Sequence, residues 1–446
     1  MNNDYRQKLH LEPRTGWLND PNGLCYFKGE YHVYFQYSPE SAQGKGKKCW
    51  GHFKSPDLLH WEFTGTVLFP DISDDRSGVY SGCGFVKDDT LYLFYTGNVK
   101  EEGNHDYIKS GRGANVILVT TKDGHNMSAK KTLLRNDDYP VYCSCHVRDP
   151  KVWYESGRYF MVLGARTLDD KGCVLYYSSS NLENWKYEKT VFGSDGSYMW
   201  ECPDEFSISG HRFLSVSPQG IPHKKYAFQN VYSSGYFGID GECPQNYREW
   251  DNGFDFYAPQ TFDAPDGRKI LIGWEGIGDI PYSNITTKLG WQHCLTLPRE
   301  LTVGENNNIL QQPVRELKKL RQTSKTVING DEQSATLPFE YVGTNDGDYK
   351  ITVKDILQIE YRKDEFSLTF TDDEVACGRN VRYAKIKDSR NIRIISDMSS
   401  IEIYLNDGEI VMSSRMYPIK TETIIAFSGT AGTIYKLDGM EIEYNE

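Results

Sequence analysis

The chain has 446 residues, enough for two domains with full cores, or for one large repeat-built domain and a smaller one. Its 62 acidic and 50 basic side chains give a net charge of −12, which argues against the basic surface that nucleic acid or an anionic membrane needs in a partner. With 31 Tyr, 20 Phe and 9 Trp and few runs at helical period, the composition points to an all-β protein; most of the rings fill cores, and some are free to stack on flat faces.

The first twenty residues include Asp4, Arg6, Lys8 and Glu12 and no apolar run, so neither a secretory signal nor a transmembrane span is expected there; a cytoplasmic location is the simplest reading. The first predicted hairpin runs Leu24-Cys25-Tyr26-Phe27, turns at Lys28-Gly29-Glu30 and returns through Tyr31-His32-Val33-Tyr34-Phe35. Four more follow, turning at Asp88-Asp89, Ser156-Gly157, Ser209-Gly210 and Asp266-Gly267 between β-rich runs. Cys143-Ser144-Cys145-His146 has metal-like spacing, but no second ligand pair answers it, so zinc is not expected there. The ten Cys, from Cys25 through Cys243 to Cys377, show no repeated close pair and read as reduced thiols. Beyond residue 303 a polar stretch, 304–325, reads as a linker, and 326–446 shows the short alternating strands of a β-sandwich.

The turns recur roughly every 55 to 70 residues, the length of a four-stranded propeller blade with irregular loops, so five such units fit residues 1–303. Ser55-Pro56-Asp57-Leu58-Leu59-His60-Trp61 is echoed by Ser179-Ser180-Asn181-Leu182-Glu183-Asn184-Trp185 two units later. Counting back about eight or nine residues from each turn lands on Asp20, Ser81, Asp149, Glu201 and Tyr257-Ala258. Equal offsets in equivalent units place these positions around one channel mouth. A lone acid ahead of a strand commonly caps a turn. Three at matching offsets, with Pro directly after Asp20 and Asp149, indicate function instead.

Breaking a glycosidic bond takes one protonated carboxyl group and one ionised one; if the ionised group attacks carbon, the pair lies about 5 to 5.5 Å apart and configuration is retained. Asp20, with the Asn19 and Asn22 amides nearby, is the candidate nucleophile. Glu201, beside apolar Trp200 and Cys202, is the candidate acid/base. Asp149, with Arg148 alongside, is expected to stay ionised and bind sugar hydroxyls.

Asn19-Asp20-Pro21-Asn22-Gly23, Arg148-Asp149-Pro150 and Glu201-Cys202-Pro203 closely resemble the signatures of glycoside hydrolase family 32, as do Phe35-Gln36-Tyr37, Trp50-Gly51-His52, Tyr80-Ser81-Gly82 and Tyr257-Ala258-Pro259-Gln260. The resemblance implies a five-bladed β-propeller followed by a C-terminal β-sandwich, and a retaining β-fructofuranosidase working through a fructosyl-enzyme without cofactor. It implies the nucleophile, transition-state and acid/base roles for Asp20, Asp149 and Glu201, and a fructose subsite lined by Asn19, Gln36, Trp50, Ser81, Arg148 and Tyr257. Trp50 and Tyr257 have packing as their alternative. Sucrose, sucrose 6-phosphate and short fructo-oligosaccharides remain open as substrates, as does oligomeric state. Lys45, Lys47 and Lys48 either meet a phosphate or form a solvated loop. A sugar-binding propeller without catalysis, a fructosyltransferase and an inverting arabinose-active glycosidase are the rival readings.

Overall fold

A computed structural model describes residues 5–193, 196–239 and 245–445. All five hairpins form: Gly16–Phe27 with Glu30–Ser38, Gly78–Lys87 with Thr90–Lys100, Cys143–Glu155 with Arg158–Thr167, Met199–Ile208 with His211–Gln219, and Tyr257–Asp263 with Lys269–Glu275. At Lys28-Gly29, Ser156-Gly157 and Ser209-Gly210 both residues take positive φ, the backbone hand that matches strand twist in a two-residue turn and that glycine adopts freely.

Each hairpin opens a sheet, and three of these sheets are four-stranded meanders in chain order. The first strands contact one another in succession and the fifth contacts the first, a propeller-like arrangement with those strands innermost. Residues 321–437 form a second body, a ten-stranded β-sandwich-like sheet around its own core, including Phe339, Ile359, Leu368, Ile394 and Ile403. No described helix is long and apolar enough to cross a membrane. The nine cysteines within the described residues are free thiols; Cys243 lies outside them.

Two expectations about the second half are corrected. The stretch 304–325 is built, not loose: Ile309–Pro313 pairs with Arg299–Val303 at the edge of the fifth sheet, Arg315–Leu320 is a 3-10 helix with Leu317 buried, and Arg321–Val327 already belongs to the second body. Its strand is hard to see because the inward residue Gln311 is polar, satisfied by the Trp250 carbonyl and the Arg299 guanidinium. At the other end, Glu441–Tyr444 leaves the sandwich and pairs in parallel with His60–Leu68 on the first sheet.

The two bodies share a buried polar seam. Fully buried Arg299 donates to Glu402 (2.8 Å), Asp251 (3.1 Å) and Ser413 (2.7 Å). His10 lies between Asp397 (2.8 Å) and Glu402 (3.1 Å), with Glu275 at 3.6 Å. Burial lowers the His10 pKa, but these carboxylates outweigh it and raise the pKa to about 10. His10, Glu275 and Glu402 form the one metal-sized ligand group among the described residues, yet the imidazolium and Arg299 already supply its positive charge. Arg299→Met leaves two buried carboxylates without their partner, and is expected to cost about 3–5 kcal/mol of stability. Urea unfolding measures it; a cost below about 1 kcal/mol, the worth of a surface pair, would refute the seam.

Candidate active site

All five first strands carry a bulge at the same place. Their register against the second strand skips between Leu18 and Pro21, Val79 and Gly82, Arg148 and Lys151, Glu201 and Asp204, and Tyr257 and Gln260. A bulge inserts an unpaired residue, bends the strand and re-aims side chains. Pro150, Pro203 and Pro259 sit inside three of these bulges, where a ladder hydrogen bond is lost anyway and an imino nitrogen costs little, and Pro21 closes a fourth. Asp149, Cys202 and Ala258 have φ of 60°, 47° and 48°, a strained hand for side-chain-bearing residues that recurs at functional sites.

Aligning the strands on Pro21, Pro150, Pro203 and Pro259, with Gly82 in that place on the second, gives two rings of equivalent positions. Asp20, Ser81, Asp149, Cys202 and Ala258 make one; Asn19, Tyr80, Arg148, Glu201 and Tyr257 make the other. This corrects the offset count, which put Glu201 level with Asp20 and Asp149. Cys202 holds that place, and Glu201 is the counterpart of Asn19 and Arg148.

The contacts follow the rings. In the first, the Ser81 hydroxyl donates to Asp20 Oδ2 (2.5 Å), the Cys202 N–H donates to Asp149 Oδ2 (2.9 Å), and the Cys202 thiol lies 3.8 Å from Asp20 and 3.7 Å from Asp149. The Asn19 amide donates to Asp20 Oδ1 (3.2 Å) and to Gln36, and the Trp17 indole N–H fixes its orientation through Asn19 Oδ1 (2.9 Å). In the second ring, Arg148 gives Glu201 Oε1 two bonds (3.1 and 2.6 Å), while Gln219 and Tyr257 each donate to Glu201 Oε2 at 2.7 Å. His146 Nδ1 accepts from Arg148 Nη1 (2.6 Å), and its Nε2 meets the Tyr107 carbonyl (3.0 Å). Burial and the Arg148 charge lower the His146 pKa to about 3, so the ring is neutral with its proton on Nε2. Thr96, whose hydroxyl accepts the Asp149 N–H at 2.9 Å, belongs to the site as well.

Burial raises the pKa of Asp20 against the bonds from Ser81 and Asn19. Burial also raises that of Asp149, outweighing Arg148. Arg148 comes no closer to Asp149 than 3.9 Å because its fork is spent on Glu201. Asp149 is thus desolvated despite its neighbour Arg148, and Glu201 meets polar partners rather than the adjacent Trp200, which is fully buried in a core with Phe237. Three carboxylates outnumber the Arg148 guanidinium and the Lys48 ammonium that acts on Asp20, so the cluster takes up a proton more readily than free carboxylates do. With its folded pKa raised, Asp149 loses stability for the fold as pH rises above the unfolded value, near 3.9. Asp149→Asn is therefore expected to melt roughly 2–4 °C above the wild type at pH 8, with the gap closing by pH 4. A lower melting temperature at pH 8 would contradict that electrostatics.

Gln36, Ser81, Arg148 and Tyr257 join Asn19 in these contacts. Trp50 does not: it is 0 % exposed, packs among Tyr34 and Tyr95, and donates its indole N–H to the Tyr80 carbonyl (3.1 Å), bracing the strand of Ser81 without surface of its own. Lys45 and Lys47 are exposed, whereas Lys48 turns inward over the Trp17 ring (5.0 Å). Cys145 and His146 share no metal group; His146 is engaged by Arg148 and Tyr107.

Carboxylates on two adjoining rings, flanked by arginine and amide donors, are the equipment of a glycosidase. Family comparison agrees in extent as well as kind: the description "Glycosyl hydrolases family 32 N-terminal domain" fits residues 10–313, ending with the edge strand of the fifth sheet, and "Glycosyl hydrolases family 32 C terminal" fits 357–442. The chain belongs to glycosyl hydrolase family 32. It is 38 % identical to the sucrose-6-phosphate hydrolase of Bacillus subtilis (strain 168), covering 96 % of this chain and 92 % of that one, and 34 % identical to a raffinose invertase of Escherichia coli, covering 97 % and 93 %. Among solved structures it is similar to a sucrose-6-phosphate hydrolase from Lactobacillus gasseri (TM-score 0.88, 26 % identity, 98 % and 94 % covered) and to a Bombyx mori GH32 beta-fructofuranosidase (0.84, 29 %, 99 % and 96 %).

Proposed function

We propose that the protein is a retaining β-fructofuranosidase that hydrolyses sucrose-type substrates, with Asp20 as nucleophile, Glu201 as acid/base and Asp149 as the carboxylate that binds fructose hydroxyls. The observation that supports this reading is the nearness of Asp20 and Glu201, neighbours on adjoining rings and close enough for each charge to act on the other. The relatives named for sucrose 6-phosphate and β-fructofuranoside hydrolysis support the substrate class.

In the first step an Asp20 oxygen attacks C2 of the fructosyl unit while Glu201 gives its proton to the bridging oxygen. The C2–O bond breaks, and its electron pair stays with the departing sugar. Water then loses a proton to Glu201 as its oxygen attacks C2, which frees Asp20 and restores the acid. Asn19, Gln36 and Ser81 hold Asp20 and offer polar groups to the sugar; Arg148, Gln219 and Tyr257 aim Glu201. These steps need carboxylates and water alone. We also read the catalytic body as a five-bladed propeller ending at residue 313, a count supported by five bulged first strands in cyclic contact. Proton NMR on fresh digests of sucrose tests the mechanism. The β-anomer of fructose is expected first; initial release of the α-anomer would mean inversion and would overturn the fructosyl-enzyme.

A further inference from the structure

The geometry points to an anion subsite beside the acid/base, built from Arg112 and Arg166 and fitted to a phosphate monoester on the leaving sugar. It rests on the β-fructofuranosidase reading above. His146 and Arg148 alternate along one strand, and Arg148 is paired with Gly164, two residues before Arg166 on the next, so the three side chains share one face of that sheet. Arg112, at the start of Arg112–Thr121 in the neighbouring sheet, donates through Nε to the Tyr107 carbonyl (3.0 Å) that also meets His146. An unbroken line therefore runs from Glu201 through Arg148, His146 and Tyr107 to Arg112.

Arg112 is the anomaly in that line. Its other side-chain bonds go to the Asn98 side-chain oxygen (3.0 Å) and to Tyr80, and among the described residues no carboxylate forms an ion pair with it. Burial and the neighbouring Arg148 charge both lower its pKa. Arg166 lies over the Tyr198 ring (4.6 Å), and its acidic partner, Asp170, is exposed and easily screened. A part-buried guanidinium facing another one is costly to keep, and a neutral disaccharide offers no reason to keep it. A phosphate monoester, carrying about −1.5 to −2 charge at neutral pH, relieves that repulsion, and the planar fork of arginine matches its oxygens. The lysine loop is the weaker candidate, since Lys45 and Lys47 point to solvent, and Lys48 lies over Trp17 with its charge already acting on Asp20.

The test is kcat/KM for sucrose and sucrose 6-phosphate on the wild type, Arg112→Gln and Arg112→Lys, together with inhibition by glucose, glucose 6-phosphate and inorganic phosphate. The wild type is expected to favour the phosphorylated substrate by about tenfold or more, with Arg112→Gln lowering that ratio about tenfold and Arg112→Lys falling between. Glucose 6-phosphate should inhibit the wild type more tightly than glucose and lose that advantage in Arg112→Gln. A ratio unchanged in Arg112→Gln would overturn the subsite, and so would inorganic phosphate inhibiting as tightly as glucose 6-phosphate, which would mark a site for free anions. Equal use of both substrates by the wild type would overturn the subsite and leave the fructosidase intact; fructose released from neither would overturn the fructosidase reading instead. If Arg112→Gln does not fold, Arg166→Gln and the wild-type inhibitor series decide the matter by the same criteria.

Discussion

Asp20→Asn is expected to lower kcat on sucrose by about 10⁴-fold or more, because the covalent step has no second route once the attacking oxygen is gone. The substitution keeps the shape of the side chain and the bond from Asn19, while the contact with Ser81 reverses so that the new amide donates to the hydroxyl; a collapse of the site would not be the explanation. It also removes a carboxylate whose pKa burial raises, so the variant should melt no lower than the wild type at neutral pH. Full stability with the rate gone is the signature of a nucleophile. A residual rate within tenfold of the wild type, measured on enzyme free of contaminating wild type, would remove Asp20 from the mechanism.

Glu201→Gln should cost about 10²–10⁴-fold on sucrose, the usual contribution of proton transfer to a leaving oxygen. The loss should depend on the leaving group. Fructosyl fluoride departs without a proton, so its first step should be nearly spared, whereas sucrose should suffer the full penalty. Added azide, which needs no base to attack C2, should restore turnover of the fluoride and yield a fructosyl azide. Equal losses on sucrose and on the fluoride would assign Glu201 to holding Arg148 in place, a role that its two bonds to that guanidinium make the serious competitor.

Much of this architecture was legible because turns and bulges have strong local chemistry. Lys28-Gly29, Ser156-Gly157 and Ser209-Gly210 announce hairpins by residue type, and the recurring proline announces a broken ladder on the inner strand. The one-residue error at Glu201 arose from counting back from turns; Pro203, one place further from Glu201 than Pro21 is from Asp20, was the available signal. Ile309–Pro313 was lost because its buried face carries Gln311, which a hydrophobic period cannot reveal. The environments of the acids were harder still. Trp200 adjoins Glu201 in sequence yet lies in a core, while Gln219 and Tyr257, distant in sequence, supply the hydrogen bonds. Neighbours along a strand face opposite ways, so sequence adjacency is a poor guide to the solvation of a carboxyl group.

The parallel pairing of Glu441–Tyr444 with His60–Leu68 bears on how the protein is made. During translation the first sheet emerges early, but the segment that covers its outer edge follows only after the whole of the second body. Until then an open edge with unpaired backbone groups is exposed, the kind of surface that recruits other chains. Completion of the first sheet is thereby tied to synthesis of the second body, and products cut short before residue 441 are left with a sticky flank.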